Sequence, residues 1–292
     1  VIPSRRAFLA GSAALLTATG RAAADDQSAR VVAVGWAGAQ ALLALGIAPL
    51  ALPEIERYRS LVVEPAVPPE TRELGLRSEP NLELMKRLAP HFIVNEGGVQ
   101  VSRDTLERIA PVVDFQALAP GEKPLDVSRP STVALAQRLC RDDVAQTYLA
   151  GWDARMASAA EKLAAYRGGP LCLVSDIFGN RALVFGANSL YQDVLDRVGI
   201  KNAFTGTTSI YGHATVGLDV LAGLAPDTRL CILSARVPNP ELLMKYRPLW
   251  RALPMMRENR VTILSDILFY GGLPSADRFA RLLVEKLPLG AS

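Results

Sequence analysis

The sequence predicts an α/β protein built as two Rossmann-like α/β lobes joined by one long α-helix. Three observations predict it. Short apolar runs, such as 31–34 and 171–174, alternate with helical patterns along the chain. A single stretch near the middle, 142 to about 166, carries apolar or small residues at helical spacing with no proline and one glycine, Gly151. Half of the 292 residues are apolar and 21% are charged, which excludes a disordered chain and supplies material for two separate cores.

In the first lobe, 31–34 is a strand, 39–45 a helix ended by Gly46, and 48–52 a second strand. Asn81 caps a helix through Leu88, and 91–94 returns as a strand. Ser102 caps a further helix to Ile109, followed by strand 112–115. Residues 116–130 contain Pro120, Pro124 and Pro130 and are expected to form a loop, with Ser131 opening a helix to about Cys140. The mid-chain helix from Asp142 or Asp143 would span roughly 35 Å at about 1.5 Å per residue, long enough for a rigid connector. Gly168, Gly169 and Pro170 end it. The second lobe continues with strand 171–174, strand 182–185, helix 189–198, helix 217–224, strands 230–233 and 261–264, and helix 274–287. The expected division is a leader at 1–24, an N-terminal lobe at 25–141, the connecting helix at 142–167 and a C-terminal lobe at 168–292.

A weak internal repeat supports two related lobes. Aligning 81–90 with 217–226 sets Leu82 against Leu218, Glu83 against Asp219, Leu88 against Leu224, and Ala89 and Pro90 against Ala225 and Pro226. The plainer account is two ordinary helix–proline–strand connections.

The leader carries Arg5 and Arg6 in a twin-arginine pattern, a short apolar stretch from Ala10 to Thr19, and three small residues, Ala22 to Ala24, before Asp25 and Asp26. This order matches a cleaved signal peptide of the twin-arginine route, so the working protein is expected in the periplasm. The chain has 32 basic and 29 acidic residues, a formal net charge of +3. The three arginines of 1–24 account for that excess, so the mature chain has no global basic surplus to attract nucleic acid.

Cys140, Cys172 and Cys231 form no C-x-x-C pair. The last two lie in apolar runs and are expected as buried strand residues, with a bridge between them as the alternative. His91 and His213 are the only histidines, and no metal-binding, nucleotide-binding or G-x-S-x-G signature occurs. An exported two-lobed protein without these motifs points to ligand binding in a cleft.

A family resemblance sharpens that expectation. The residues that carry it are Arg57 to Arg59, Glu64 and Pro65, the run GLRSEPNLEL at 75–84, RIAP at 108–111, LVFG at 183–186, NSL at 188–190, PLW at 248–250 and FYG at 269–271. Together they resemble the periplasmic iron(III)-hydroxamate (ferrichrome)-binding proteins that serve ABC importers. The resemblance implies the helical-backbone fold of siderophore and metal receptors, with a shallow interlobe cleft and no catalysis. The ligand implied is a ferric siderophore complex of hydroxamate type, whose iron the siderophore already saturates. The protein then needs no metal ligands or cofactor of its own. It needs donors for the hydroxamate oxygens and apolar walls for the siderophore backbone.

Arg77 sits where the family uses an arginine on those oxygens; otherwise it is a solvated loop charge. Trp36 matches a wall residue, the alternative being a core tryptophan. Tyr211 matches a cleft tryptophan and His213 lies two residues on; cleft and ordinary surface are both open for them. Leu183 and Tyr270 lie within matched motifs and are expected walls. Val99 stands where the family has a tyrosine donor, and Leu61 and Leu268 where it has tryptophans, so this cleft is less aromatic and short of one hydroxyl. Asn95, Glu96, Gln100 or water are the candidates to compensate. By resemblance to related receptors, including the vitamin B12-binding protein, Glu83 and Asp219 dock to arginines on the inner-membrane permease; the alternative is a pair of solvated acids favoured by helix dipoles. The chain is expected to act as a monomer. Two other functions stay open: a receptor of the same fold for a corrinoid, haem or catecholate chelate, and an exported enzyme that folds around a cofactor.

Overall fold

The computed structural model describes residues 29–96, 101–233 and 248–289. The expected leader at 1–24 lies outside them, as do Val99 and Gln100. Two five-stranded sheets organise the rest. The first contains β1 (Val31–Ala33), β2 (Ala51–Leu52), β3 (Arg72–Glu73), β4 (Phe92–Glu96) and β5 (Val112–Phe115), all parallel, in the order β3-β2-β1-β4-β5. The second contains β6 (Leu171–Phe178), β7 (Arg181–Phe185), β8 (His213–Gly217), β9 (Arg229–Leu233) and β10 (Val261–Leu264). Its order, β8-β7-β6-β9-β10, repeats the first sheet strand for strand. Only β7 is reversed, pairing antiparallel with β6 and β8.

The helices follow the same correspondence. Helices α2 (Ile55–Leu61), α3 (Leu82–Leu88) and α4 (Arg103–Glu107) join the later strands of the first sheet. Helix α7 (Leu190–Val198), then α8 (Leu218–Ala222), then α9 (Pro248–Arg251) with α10 (Pro254–Arg257) occupy the matching connections of the second. The ten-residue repeat thus falls on equivalent helices, α3 and α8. Helix α1 (Trp36–Ala44) has no counterpart, because a tight turn joins β6 to β7 where α1 joins β1 to β2.

Helix α5 (Pro124–Arg138) corrects the expected loop at 116–130. Pro124 stands at the first helical position, where its missing N–H would have had no intrahelical partner anyway. Pro130 lies inside the helix but is exposed, so the carbonyl it leaves unbonded, that of the exposed Asp126, can turn to water. Helix α6 (Asp142–Leu163) is the long helix, ending three residues before the expected Tyr166. Its buried stripe joins two cores: Ala145 packs in the core of the first sheet, while Trp152, Met156, Ala159 and Leu163 pack in that of the second. The Trp152 indole N–H donates to the carbonyl of Leu273, at the start of α11 (Leu273–Lys286), at 2.9 Å.

Polar contacts tie the two halves together. Arg278 of α11 is 6% exposed and donates to Glu64 at 2.6 Å, to the Asp266 carbonyl at 2.8 Å and to the Ser265 hydroxyl at 3.0 Å. The Ser275 hydroxyl donates to Gln40 at 3.0 Å, and Lys123 pairs with Asp196 at 3.0 Å.

Cys172 and Cys231 are buried and unpaired. Cys172 stands opposite Leu230, and Leu173 opposite Cys231, so successive residues put the two thiols on opposite faces of the sheet. They lie in different cores, which rules out the alternative of a bridge. Burial pushes both thiols up to about 12, where they are inert neutral hydrophobes.

Candidate functional site

The C-terminal ends of the parallel strands deliver the site, as open α/β sheets generally do. A narrow recess of about 30 Å³ lies between the two halves. Trp36 and Leu61 line it from the first half, and Ser175, Asp176, Leu233, Asp266, Ile267, Leu268 and Phe269 from the second. It holds no more than a water-sized guest. A drug-sized ligand needs ~300 Å³ or more, which this recess alone does not offer.

Trp36 begins α1 immediately after β1. It is 1% exposed, and its indole N–H donates to the Pro53 carbonyl at 3.0 Å, so the ring is fixed. It is a buried tryptophan that also lines the recess. Arg77 covers its other side. The guanidinium carbon lies 3.7 Å from the ring centroid, a close cation–π stack. Arg77 Nε donates to Glu54 at 2.9 Å. Among the described residues, its terminal nitrogens make no hydrogen bond, and the side chain is 35% exposed. A flat, charged fork with two nitrogens to spare is suited to oxygen acceptors.

Glu96, at the end of β4, has a different task from the one expected. Its carboxylate accepts the backbone N–H groups of Trp36, Ala37 and Gly38 at 3.1, 2.7 and 3.0 Å, capping α1. Burial pushes this carboxyl above its ordinary value; the three amides and Arg77 act the other way. It leaves no spare donor for a ligand. Gly35 is required beside it, because a Cβ there would stand 1.9 Å from the Glu96 carboxyl carbon. Asn95 uses one amide N–H on Asp114, at 3.0 Å.

The second half offers an aromatic wall. His213 Nε2 and the Tyr270 hydroxyl share a 2.7 Å hydrogen bond. The Tyr211 ring stacks near His213 at 6.5 Å and meets Tyr270 edge-on at 5.8 Å, and Phe269 packs on Tyr270 at 4.1 Å. Tyr211 is 46% exposed, while His213 and Tyr270 are half-buried. Burial holds the His213 imidazole below its usual value, with Asp176 opposing weakly, so the wall is neutral near pH 7. Leu183 shares a sheet face with Phe185, whose register partner is His213, and packs on the second core rather than lining the recess.

Glu83 and Asp219 lie apart from this site. Each is exposed in the first turn of its short helix, at equivalent positions on α3 and α8. Sequence reasoning missed Glu54, the partner of Arg77. Its only signal was an acid just after β2, at a strand end that faces the cleft. Among the described residues, no group of three or more His, Cys, Asp or Glu side chains is placed to hold a metal ion, and no helix is long and apolar enough to cross a membrane.

The family model described as periplasmic binding protein matches residues 31–268. The chain belongs to that family. Within it, the chain is 37% identical over 265 residues to the iron(3+)-hydroxamate-binding protein FhuD of Escherichia coli (strain K12), a match covering 91% of this chain and 88% of that protein. The crystal structure of FhuD from Vibrio cholerae bound to Fe3+–Desferal superposes with a TM-score of 0.81 at 28% identity, over 89% of this chain and 98% of that one. The triscatecholate siderophore-binding protein FeuA of Bacillus subtilis, complexed with ferri-bacillibactin, shares the fold at 12% identity and a TM-score of 0.64, over 88% and 91% of the two chains.

Proposed function

We propose that this periplasmic binding protein captures ferric hydroxamate siderophores in its interlobe cleft and delivers them to an inner-membrane ABC importer. The observation that carries the reading is Arg77, stacked on Trp36 with its terminal nitrogens unbonded, across a recess from a neutral aromatic wall. The guanidinium donates to hydroxamate oxygens. Tyr211, His213, Tyr270 and the recess residues Leu61 and Leu268 supply area for the siderophore backbone. The chelate keeps all six coordination positions of the iron, so binding needs no protein metal ligand, no cofactor and no catalytic step. The two FhuD relatives, one named for and one solved with a hydroxamate chelate, support that class over catecholates.

The N-terminal 24 residues direct export through the twin-arginine route, and the mature chain works as a monomer in the periplasm. Helix α6, anchored in both cores, keeps lobe closure small. Glu83 and Asp219, one on each half, engage paired basic pockets of the permease. The double reversal Glu83→Lys, Asp219→Lys is expected to abolish uptake with siderophore affinity unchanged; normal uptake by the double variant would remove both residues from docking.

The test of ligand class is a tryptophan-fluorescence titration of mature protein against ferric hydroxamates, ferric catecholates, haem and cobalamin. Saturable quenching by hydroxamates alone is the expected result. Saturation by one of the others, with hydroxamates inert, would replace the proposal by that ligand.

A further inference from the structure

The residue that prepares Arg77 is Glu54, and its geometry suggests more than a surface ion pair. It is non-glycine in the left-handed region, at φ 54° and ψ 50°, which disfavours most side chains. The fold enforces it. The Glu73 carboxylate receives the backbone N–H groups of Glu54, Ile55 and Gly75 at 2.9, 2.8 and 2.8 Å, and the Glu54 N–H also reaches the Gly75 carbonyl at 2.9 Å. The loop bearing Arg77 and the start of α2 are thereby locked together. The Glu54 side chain is only 10% exposed and meets two guanidinium groups, Arg77 at 2.9 Å and Arg57 at 3.3 Å. Both cations lie over Trp36, with Arg77 at 3.7 Å and Arg57 at 5.8 Å from the ring centroid.

We infer that Glu54 is a positioning and specificity-determining residue for the siderophore. It holds the Arg77 guanidinium flat on Trp36, and its single negative charge offsets one of the two positive charges that Arg77 and Arg57 bring to that ring. Arg77 then acts as an oriented hydrogen-bond fork rather than a free cation. Ferric trihydroxamates carry little or no net negative charge and gain from an oriented donor. Ferric triscatecholates carry three negative charges and would gain from a second uncompensated positive charge, which Glu54 withholds. This rests on the function proposed above and assigns selectivity within it.

Two substitutions separate reach from charge. Glu54→Gln keeps the length and one oxygen acceptor but removes the charge. Glu54→Ala removes both, and if it does not fold, Glu54→Gln carries the test alone. With purified mature protein and wild-type melting temperature as the control for fold, Glu54→Gln is expected to hold a ferric hydroxamate within about threefold of wild type. It is expected to bind a ferric triscatecholate about tenfold more tightly at low salt, a gain that shrinks at high salt. Glu54→Ala is expected to weaken the hydroxamate by about tenfold. A purely structural role would move both ligands in the same direction. That outcome, or unchanged affinities in folded variants of a hydroxamate-binding wild type, would overturn the role of Glu54 alone. A wild type that binds no ferric hydroxamate would overturn this inference together with the functional reading beneath it.

Discussion

The two walls of the cleft stand at the ends of sheets with the same strand order, yet they are chemically unlike. The first holds a cation, Arg77, oriented by Glu54 and stacked on Trp36. The second is an aromatic cluster built around a neutral histidine–tyrosine pair. One topological difference accompanies the contrast. In the first sheet a helix, α1, joins the first two strands, and its N-terminus sets Trp36 on the cleft floor. In the second, a tight turn sends β7 back antiparallel, and β8 begins at His213, opposite Phe185, with its ring 6.3 Å from that of Phe269, a residue of the recess. A duplicated scaffold thus supplies two faces, and the local connection decides what each presents. In the proposed function, polar grip comes from one half and contact area from the other.

The largest effect on stability tests whether the walls are held as one unit. Arg278 joins Glu64 of the first half to the Ser265–Asp266 loop of the second. Its replacement by alanine removes a buried guanidinium and its three hydrogen bonds, while Glu64, half-exposed, keeps its pair with Arg281. Arg278→Ala is expected to destabilise the fold by about 2 kcal/mol, the loss of its charged hydrogen bonds, with weaker binding following from misaligned walls. Unchanged chemical denaturation would show that the other contacts between the halves hold them without Arg278. Next comes the polar wall. Arg77→Ala should weaken ferric hydroxamates by about 10- to 100-fold, the ~1.5–3 kcal/mol of a charged hydrogen bond, measured by fluorescence quenching. Equal affinity in the variant would take Arg77 out of the site and leave recognition to the aromatic wall.

The smallest effect concerns the neutral wall. Burial lowers the His213 value in the fold below its unfolded value of about 6.5. The unfolded chain therefore binds a proton more readily, so this contribution to stability is complete above pH 6.5 and is lost as pH falls through and below it. A melting-temperature profile from pH 8 to 5 should be less steep in His213→Phe than in wild type. Identical slopes would mean that the imidazole titrates as if free.

The alternation of strands and helices was legible because apolar period and caps are local. Asn81 and Ser102 cap α3 and α4 with their side chains as read, and Ser189, read as the first residue of its helix, caps α7. The missed elements have weak local signals: β3 is two residues long, and β8 exposes or half-exposes all five of its residues. Helix α5 was hidden because two of its prolines look like breakers until their positions are known, one at the helix start and one facing water. In the site, Trp36 and Arg77 were legible from strand-end position and motif. Glu54 and Glu96 were not, since an acid's partner is chosen by tertiary structure: one grips a guanidinium, the other caps a helix sixty residues away in sequence.

The most direct test of the central claim is equilibrium dialysis of mature protein against iron supplied in two forms, a ferric trihydroxamate and ferric nitrilotriacetate. The account predicts that one equivalent of intact hydroxamate chelate is retained, with the iron's visible charge-transfer band unshifted, and that no iron is retained from the weak chelate. Stoichiometric retention of iron from nitrilotriacetate, stripped of its chelator, would contradict it.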